Sequence, residues 1–567
     1  TAAHGTRWDV SVTDTPSARP TGLDRRTVLR AGALAGAAAA GSAALTGLAP
    51  AALADEEVFR HGVASGDPLP DRVILWTRVT PTADATPGSG RGPAVQVTWE
   101  VATDPGFAAV VRSGSVVTDA ERDHTVKFDA TGLAPDTWYH YRFRALGQTS
   151  RTGRTRTAPA DGAMPGRARF AVVSCSNWEA GYFSAYRHLA ARADLDAVVE
   201  VGDYIYEYKT GEYAGKDRVI RPNEPTHEIV SLADYRTRLG SYRTDADLQA
   251  LHAHVPWICT WDDHESANNS WAGGAENHDP ATEGDWGRRK ANSARAYFEW
   301  MPVRPNSLRD GDHLYRRLRF GALAEINMLD LRSYRSLQPG RLEGRAIDDA
   351  GRTMTGAEQF DWLARGLQTS DARWNVIGNS VMVSPVLVPP LEPRTTEAMT
   401  KLMGLPRQGM VYNPDQWDGY GAERQRLVDV INAAGLRNVV FLTGDIHSAW
   451  ACDVPTNPAN YPGEGAAATE FVTTSVTAQN IDDMLKLPEG NPASLTAQGA
   501  IQGLNHHVRW IDLDRHGYLV VEFTQDFAHA DFWAVSAKED PAAGAFPVAS
   551  WRVRHGAGFL EPAGLMP

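Results

Sequence analysis

The rhythm of apolar and polar positions changes near residue 168. Before it, Arg72-Val73-Ile74-Leu75-Trp76-Thr77-Arg78-Val79 and Val95-Gln96-Val97-Thr98-Trp99-Glu100-Val101 alternate with a period of two, which predicts strands with one buried face. Gly132-Leu133-Ala134-Pro135-Asp136 is a turn that leads into an aromatic strand over 138–143, an arrangement that resembles the tyrosine corner of fibronectin-like sandwiches. Residues 55–157 therefore predict a smaller all-β domain. A stretch from 151 to 168 rich in Arg, Thr, Ala, Pro and Gly ends in a linker at 158–168.

From 169 onward, short continuous apolar runs replace the alternation. They lie at 169–174, 197–201, 253–260, 324–329, 374–378 and 438–442, with helical spacing between them at 182–193, 357–367 and 422–434. Strands alternating with helices predict an α/β domain over 169–567 whose site lies at strand ends. Near the C-terminus, 508–513 and 518–524 flank Asp514-Arg515-His516-Gly517 and predict a β-hairpin.

Residues 1–54 have another character. Asp24-Arg25-Arg26-Thr27-Val28-Leu29-Arg30 precedes a mild Ala/Gly/Leu run that ends in Ala52-Leu53-Ala54. Paired arginines, a weak apolar core and a small-residue cleavage site form a twin-arginine signal; so much Ala and Gly suits a membrane anchor less well. The expectation is secretion of a folded protein through the twin-arginine export machinery, a route suited to a cofactor loaded beforehand. The composition, 43% hydrophobic and 22% charged, is that of a globular protein. A net charge of −13 argues against a nucleic-acid scaffold or a polybasic membrane surface. Three cysteines (Cys175, Cys259, Cys452) cannot build a disulfide framework, and at least one is left over for packing, redox or metal.

Chemistry-bearing residues follow the predicted core strands. After the first comes Ser174-Cys175-Ser176-Asn177-Trp178, and after the second Gly202-Asp203-Tyr204-Ile205-Tyr206. After the third comes Trp261-Asp262-Asp263-His264-Glu265-Ser266-Ala267-Asn268-Asn269, and after a late one Thr443-Gly444-Asp445-Ile446-His447. Each has a bland alternative: a turn aspartate, a helix cap, a small buried cysteine. Packing would ask for apolar residues at these places, so their shared position points to ligands. Cys175, Tyr206 and His447 with Asp203 are a highly anionic set that suits iron before zinc. Asp203, Asp263, Asn268 or Asn269, and Asp445 are nearly all oxygen and suit calcium, magnesium or manganese. With Asp203 bridging, two cations about 3.5–4 Å apart are the arrangement for attack on phosphorus by an activated water or hydroxide. His264 could protonate the leaving group or hold a phosphate oxygen. Arg332 could clamp a phosphate oxygen by two hydrogen bonds, or form a surface ion pair. His506 and His507 read as ordinary histidines.

These boxes resemble the calcineurin-like metallophosphoesterases, which include purple acid phosphatases. The strings Ser174-Cys175, Gly202-Asp203-Tyr204-Ile205-Tyr206, Trp261-Asp262-Asp263-His264-Glu265 and Gly444-Asp445-Ile446-His447 are similar to the PhoD alkaline phosphatase branch. The resemblance implies an α/β metallophosphoesterase core, a β-sandwich flanked by helices and preceded by the fibronectin-like domain. It also implies iron (Fe3+) and calcium, with manganese or zinc as substitutes, and hydrolysis of phosphate mono- and diesters. Cys175 stands where the wider superfamily has Asp-x-His, and Asp445 where it has the first histidine of His-x-His; both changes suit iron plus calcium. Asn379 falls near the place of a further superfamily histidine.

Two other readings stay open. The same branch contains phospholipases D; no His-x-Lys pair occurs in this chain, so such an activity on lipid head groups would run through the metals. A non-catalytic wall- or glycan-binding protein is suggested by the β-rich N-terminal part and 17 tryptophans, among which Trp271 and Trp286 could instead rim a substrate site. A serine hydrolase is disfavoured, since there is no Gly-x-Ser-x-Gly elbow. Segments 207–252, 266–287, 385–420 and the chain after 525 are candidates to cover the site.

Overall fold

The computed structural model describes residues 58–304, 313–341, 343–388 and 410–567. Residues 1–54, where an export leader is expected, and most of 385–420 lie outside the described residues. Leu53–Pro567 form one compact unit.

Two large sheets stack face to face. Strands Ala168–Val173, Ala197–Glu200 and Trp257–Cys259 run parallel at the centre of a ten-stranded sheet. Ala324–Met328, Trp374–Asn379 and Val439–Thr443 run parallel within a seven-stranded one. The period-two geometry of a strand sorts their side chains. Phe170, Val172, Val199 and Val201 point inward and meet Ile326, Met328, Val376 and Leu442 in one apolar core. Ala171, Val173 and Val198 point outward into a second core under helices. These include Ser184–Ala190, Leu232–Tyr242 and Trp286–Trp300. Ile377, Val439 and Phe441 do the same on the other side, under Ala357–Thr369 and Gly421–Ala433. Both strand faces are covered, which is why these strands read as unbroken apolar runs. The result is a β-sandwich between two helical layers, as the sequence predicts.

The N-terminal part forms a sheet of its own from Val95–Ala102, Val110–Thr118, Trp138–Ala145, Gln148–Thr149 and Gly153–Arg156. Tyr139 closes the corner: its hydroxyl accepts from the Ala134 N–H at 2.8 Å. Facing that sheet are Val63–Leu69, Arg72–Arg78 and Thr125–Thr131, which continue the ten-stranded sheet itself. Val63–Leu69 pairs in parallel with Trp257–Cys259, Gly66 opposite Trp257.

Two expectations are corrected. Residues 253 and 254 end a helix, Ala246–His254, so the third strand is only Trp257–Cys259. Asp245 caps that helix through the N–H groups of Asp247 and Leu248, and Leu248, Leu251 and His252 bury one face. The 508–524 pair is no hairpin. Val508–Asp512 pairs with Ala449–Pro455 in one sheet, and Gly517–Phe523 pairs with Ala168–Val173 and Phe527–Val535 in the other. Asp512 Oδ1 takes the N–H groups of Asp514 and Arg515, a local turn that here carries the chain across the sandwich. In the chain after 525, Phe527–Val535, Ala545–Arg554 and Leu560–Pro562 build the sheet edge. All three cysteines are free and buried.

Candidate metal centre

The four tips meet at one end of the sandwich. Cys175, Asp203 and His447 bring ligand atoms within 4.8 Å of one another; so do Asp203, Asp263 and His264, and so do Asp262, Asp263 and Asp445. The first group contains three of the four residues expected to hold iron, Tyr206 being the fourth. The oxygen set divides: Asp203 and Asp263 stand with His264, while Asp445 stands with Asp263 and Asp262. Asp262 carried no role in the sequence reading. Adjacent aspartates give no signal that both turn toward Asp445.

Several of these residues have backbone that side chains rarely adopt. Cys175, Asp203, Asn269, Asp445 and His447 have φ between 52° and 62°. Such left-handed conformations cost a non-glycine residue about 1 kcal/mol or more each, and they persist where surrounding contacts enforce them. Two glycines permit the crowding. A Cβ on Gly202, whose φ is 111°, would lie 2.4 Å from Asp262 Cβ, and one on Gly444 would lie 2.3 Å from Ser174 Oγ.

Hydrogen bonds fix the ligands. The Tyr206 hydroxyl donates to Asp203 Oδ2 at 2.9 Å and lies 3.1 Å from His447 Nε2. His447 Nδ1 is 2.9 Å from the Gln479 carbonyl, so the proton sits on Nδ1 and the Nε2 lone pair faces the cluster. Burial pushes His447 down to about 3, which keeps it neutral. Burial also drives the Cys175 thiol well above its ordinary range, with Asp203 adding to it, and pushes Asp203 and Asp445 up as well. A cation here would favour the thiolate and both carboxylates. The donors fit one. Asp203 Oδ1 and Asp263 Oδ1 are buried and accept no hydrogen bond from any described residue.

His264 is held by a residue sequence reasoning missed. Glu207 Oε2 lies 2.7 Å from His264 Nδ1, and Glu207 Oε1 accepts from the Asn268 N–H and from Asn277 Nδ2. Burial opposes protonation of His264, but Asp263, Glu207 and Asp203 outweigh it and hold the imidazole well above its ordinary value. Glu265 does not face the ligands. It accepts the backbone N–H groups of Asp203, Tyr204 and Asp262 and so ties two tips together.

Arg332 is no surface residue. It is 3% exposed and lies among Asp262, Asp263, Asp415 and Asp445, with Nη2 3.0 Å from Asp262 Oδ2 and from Asp445 Oδ1. Its donors balance the acids, and a phosphoryl oxygen would share it with Asp445. The Asn269 N–H donates to Asp263 Oδ2 at 2.6 Å while its carboxamide holds Glu276. Asn379 is buried scaffold, bound to Thr443, Val381 and Trp417. His507 Nε2 donates to the Pro385 carbonyl, a packing role. Trp271 and Trp286 line a small cavity that reaches Asp262 and Arg332, together with Lys290 and Ser333.

Tyr206→Phe tests by itself whether the first group holds iron. The phenolate-to-iron absorption should disappear from the loaded protein while calcium binding remains, as read by visible spectroscopy beside elemental analysis. A band that survives the change would show that Tyr206 is not a ligand.

Comparison with known proteins follows the same lines. A family model for the PhoD-like phosphatase matches residues 170–532, and one for the PhoD-like phosphatase N-terminal domain matches 43–159. Alkaline phosphatase D of Bacillus subtilis (strain 168) is 37% identical over 493 residues, 86% of this chain and 79% of that protein. A solved structure of PhoD superposes with a TM-score of 0.80 at 34% identity, covering 90% of this chain and 93% of the other.

Proposed function

Because the chain belongs to the PhoD-like phosphatase family, whose members are phosphoric ester hydrolases, we propose that it is a secreted, metal-dependent hydrolase of phosphate mono- and diesters working with iron and calcium. One observation carries this reading: ligand residues from separate strand tips converge, and Asp203 belongs to two of the three groups. Cys175, Asp203, Tyr206 and His447 would hold iron. Asp203, Asp263 and Asp445, with Asn268 or Asn269 beside them, would hold calcium; manganese or zinc are substitutes. Bound cations supply neutralisation of phosphoryl oxygens and a lowered pKa for water. The chain supplies the rest. Glu207 occupies His264 Nδ1, so Nε2 is the nitrogen left to donate to a phosphoryl oxygen or to the departing alkoxide. Arg332 keeps the acids of the third group in place against their mutual repulsion.

An open cleft begins at Asp445 and His447 and is walled by Ile446, Trp450, Ile481, Met484 and Leu513. It suits the alcohol part of an ester. The relative's name, alkaline phosphatase D, favours the phosphatase reading over a phospholipase D. The leader over 1–54 supports export by the twin-arginine machinery, and among the described residues no helix is long and apolar enough to cross a membrane. With iron and calcium supplied, the purified protein should release p-nitrophenol from both the mono- and the bis-ester. Chelation should stop the reaction and re-addition restore it, with little choline released from phosphatidylcholine. A protein that bound wall polymer and cleaved neither ester would be a binding module instead.

A further inference from the structure

Three tyrosines of the segment after the second strand tip crowd His264. Tyr206 stacks on it with ring centres 4.3 Å apart, Tyr208 lies at 5.4 Å and Tyr213 at 6.1 Å. Tyr213 also stacks on Tyr206 at 5.5 Å and 20°, and its centre is 6.4 Å from the His447 ring. It thus spans from His264 to His447, over the phenol that binds Asp203. Tyr208, by contrast, is in ring contact with His264 and Tyr213 only.

Apart from Tyr208, whose hydroxyl likewise has no hydrogen-bond partner among the described residues and whose ring does not reach His447, the hydroxyls of the surrounding tyrosines are committed. Tyr206 bonds Asp203, Tyr204 lies 2.9 Å from His252 Nε2, Tyr186 bonds Ser176, and Tyr242 accepts from the Trp178 N–H at 3.0 Å. The Tyr213 hydroxyl has no hydrogen-bond partner among the described residues, and it is not sealed from solvent. Its backbone, however, is tightly fixed. Glu179 Oε2 accepts the Gly211 N–H at 2.8 Å and Oε1 the Tyr213 N–H at 3.1 Å, while Asn177 Nδ2 donates to the Tyr213 carbonyl at 2.8 Å. Gln479 Nε2 holds the next carbonyl, that of Ala214. Asn177 and Glu179, each 1% exposed, follow Cys175 in the chain, and the Gln479 carbonyl orients His447. The segments that set the ligands therefore also set Tyr213. A rigidly held ring with a free O–H over an anion-binding centre is a preorganised neutral donor.

We infer that Tyr213 contacts the substrate, donating its phenolic hydrogen to a non-bridging oxygen of the bound phosphoester. This role rests on the phosphoester reading above. The test compares wild type and Tyr213→Phe as metal-loaded full chains. The measurements are kcat/KM on p-nitrophenyl phosphate and its bis-ester, inhibition by inorganic phosphate, iron and calcium content, and the visible absorption band. Loss of one hydrogen bond to a charged oxygen should lower kcat/KM about ten- to a hundredfold and weaken phosphate inhibition by about tenfold. Metal content and the band should match wild type. An active wild type whose Tyr213→Phe variant stays within twofold on both measures would overturn the Tyr213 role alone. Loss of iron or of the band in the variant would overturn it too, by making the residue part of the metal centre. A loaded wild type that cleaves neither ester and ignores phosphate would overturn the phosphoester reading and the Tyr213 role with it.

Discussion

Asp203→Asn should lower kcat/KM by at least about 10³-fold and take iron and calcium out of the protein together. The carboxylate is shared by the Cys175–His447 group and the Asp263–His264 group, so one substitution weakens both. Asparagine keeps the shape but removes the charge, and it presents an N–H₂ where one oxygen stood. Several kcal/mol of charge stabilisation at phosphorus depend on filled metal positions, and each 1.36 kcal/mol is tenfold in rate. The fold should survive, because the backbone bonds around Asp203 stay: its N–H still meets Glu265, and its carbonyl still accepts from Ser176. Kinetics on p-nitrophenyl phosphate beside elemental analysis will decide it. A variant with wild-type activity and no metal would end the metal-dependent reading.

Glu265→Ala should be the most damaging change outside the ligands themselves. Alanine leaves three buried N–H groups, those of Asp203, Tyr204 and Asp262, without their acceptor. An unsatisfied buried donor costs about 1–3 kcal/mol, so roughly 3–9 kcal/mol of stability is at stake if little water enters. The loss falls where the second and third strand tips are tied together, so metal affinity should drop along with the unfolding midpoint. Denaturant unfolding of the metal-free chain separates the two effects. A midpoint equal to wild type would mean that those N–H groups find other partners.

Sequence and structure agree best where an apolar run stops at a residue that packing would not choose. Cys175, Asp203, Asp263, Asp445 and His447 stood out for that reason, and they do converge. Glu207 and Glu265 did not stand out, because their work is to accept backbone N–H groups from segments distant in sequence. No spacing announces this: Glu207 reaches Asn268 and Asn277, about 60 to 70 residues on. Arg332 was legible as a charge beyond a strand tip but not as the counter-ion of three buried acids and the half-buried Asp445, since that depends on where Asp415 arrives in space. The same limit explains the strands at 508–524. Their turn chemistry is local and reads as a hairpin, while their partners are set by the stacking of two sheets.

The ten-stranded sheet crosses the line between the two matched family segments, and this bears on how the protein can vary. A domain strung on a linker can be lost, duplicated or exchanged for another without consequence for its neighbour. Here Val63–Leu69 is the strand that completes Trp257–Cys259, and Trp257–Cys259 leads directly into Asp262, Asp263 and His264. Without the N-terminal part, a central parallel strand would become a bare edge, open to pairing with other chains, three residues from the first acid of the metal centre. The two segments are thus joined in one sheet, while Val95–Ala102 and its neighbours form a separate one.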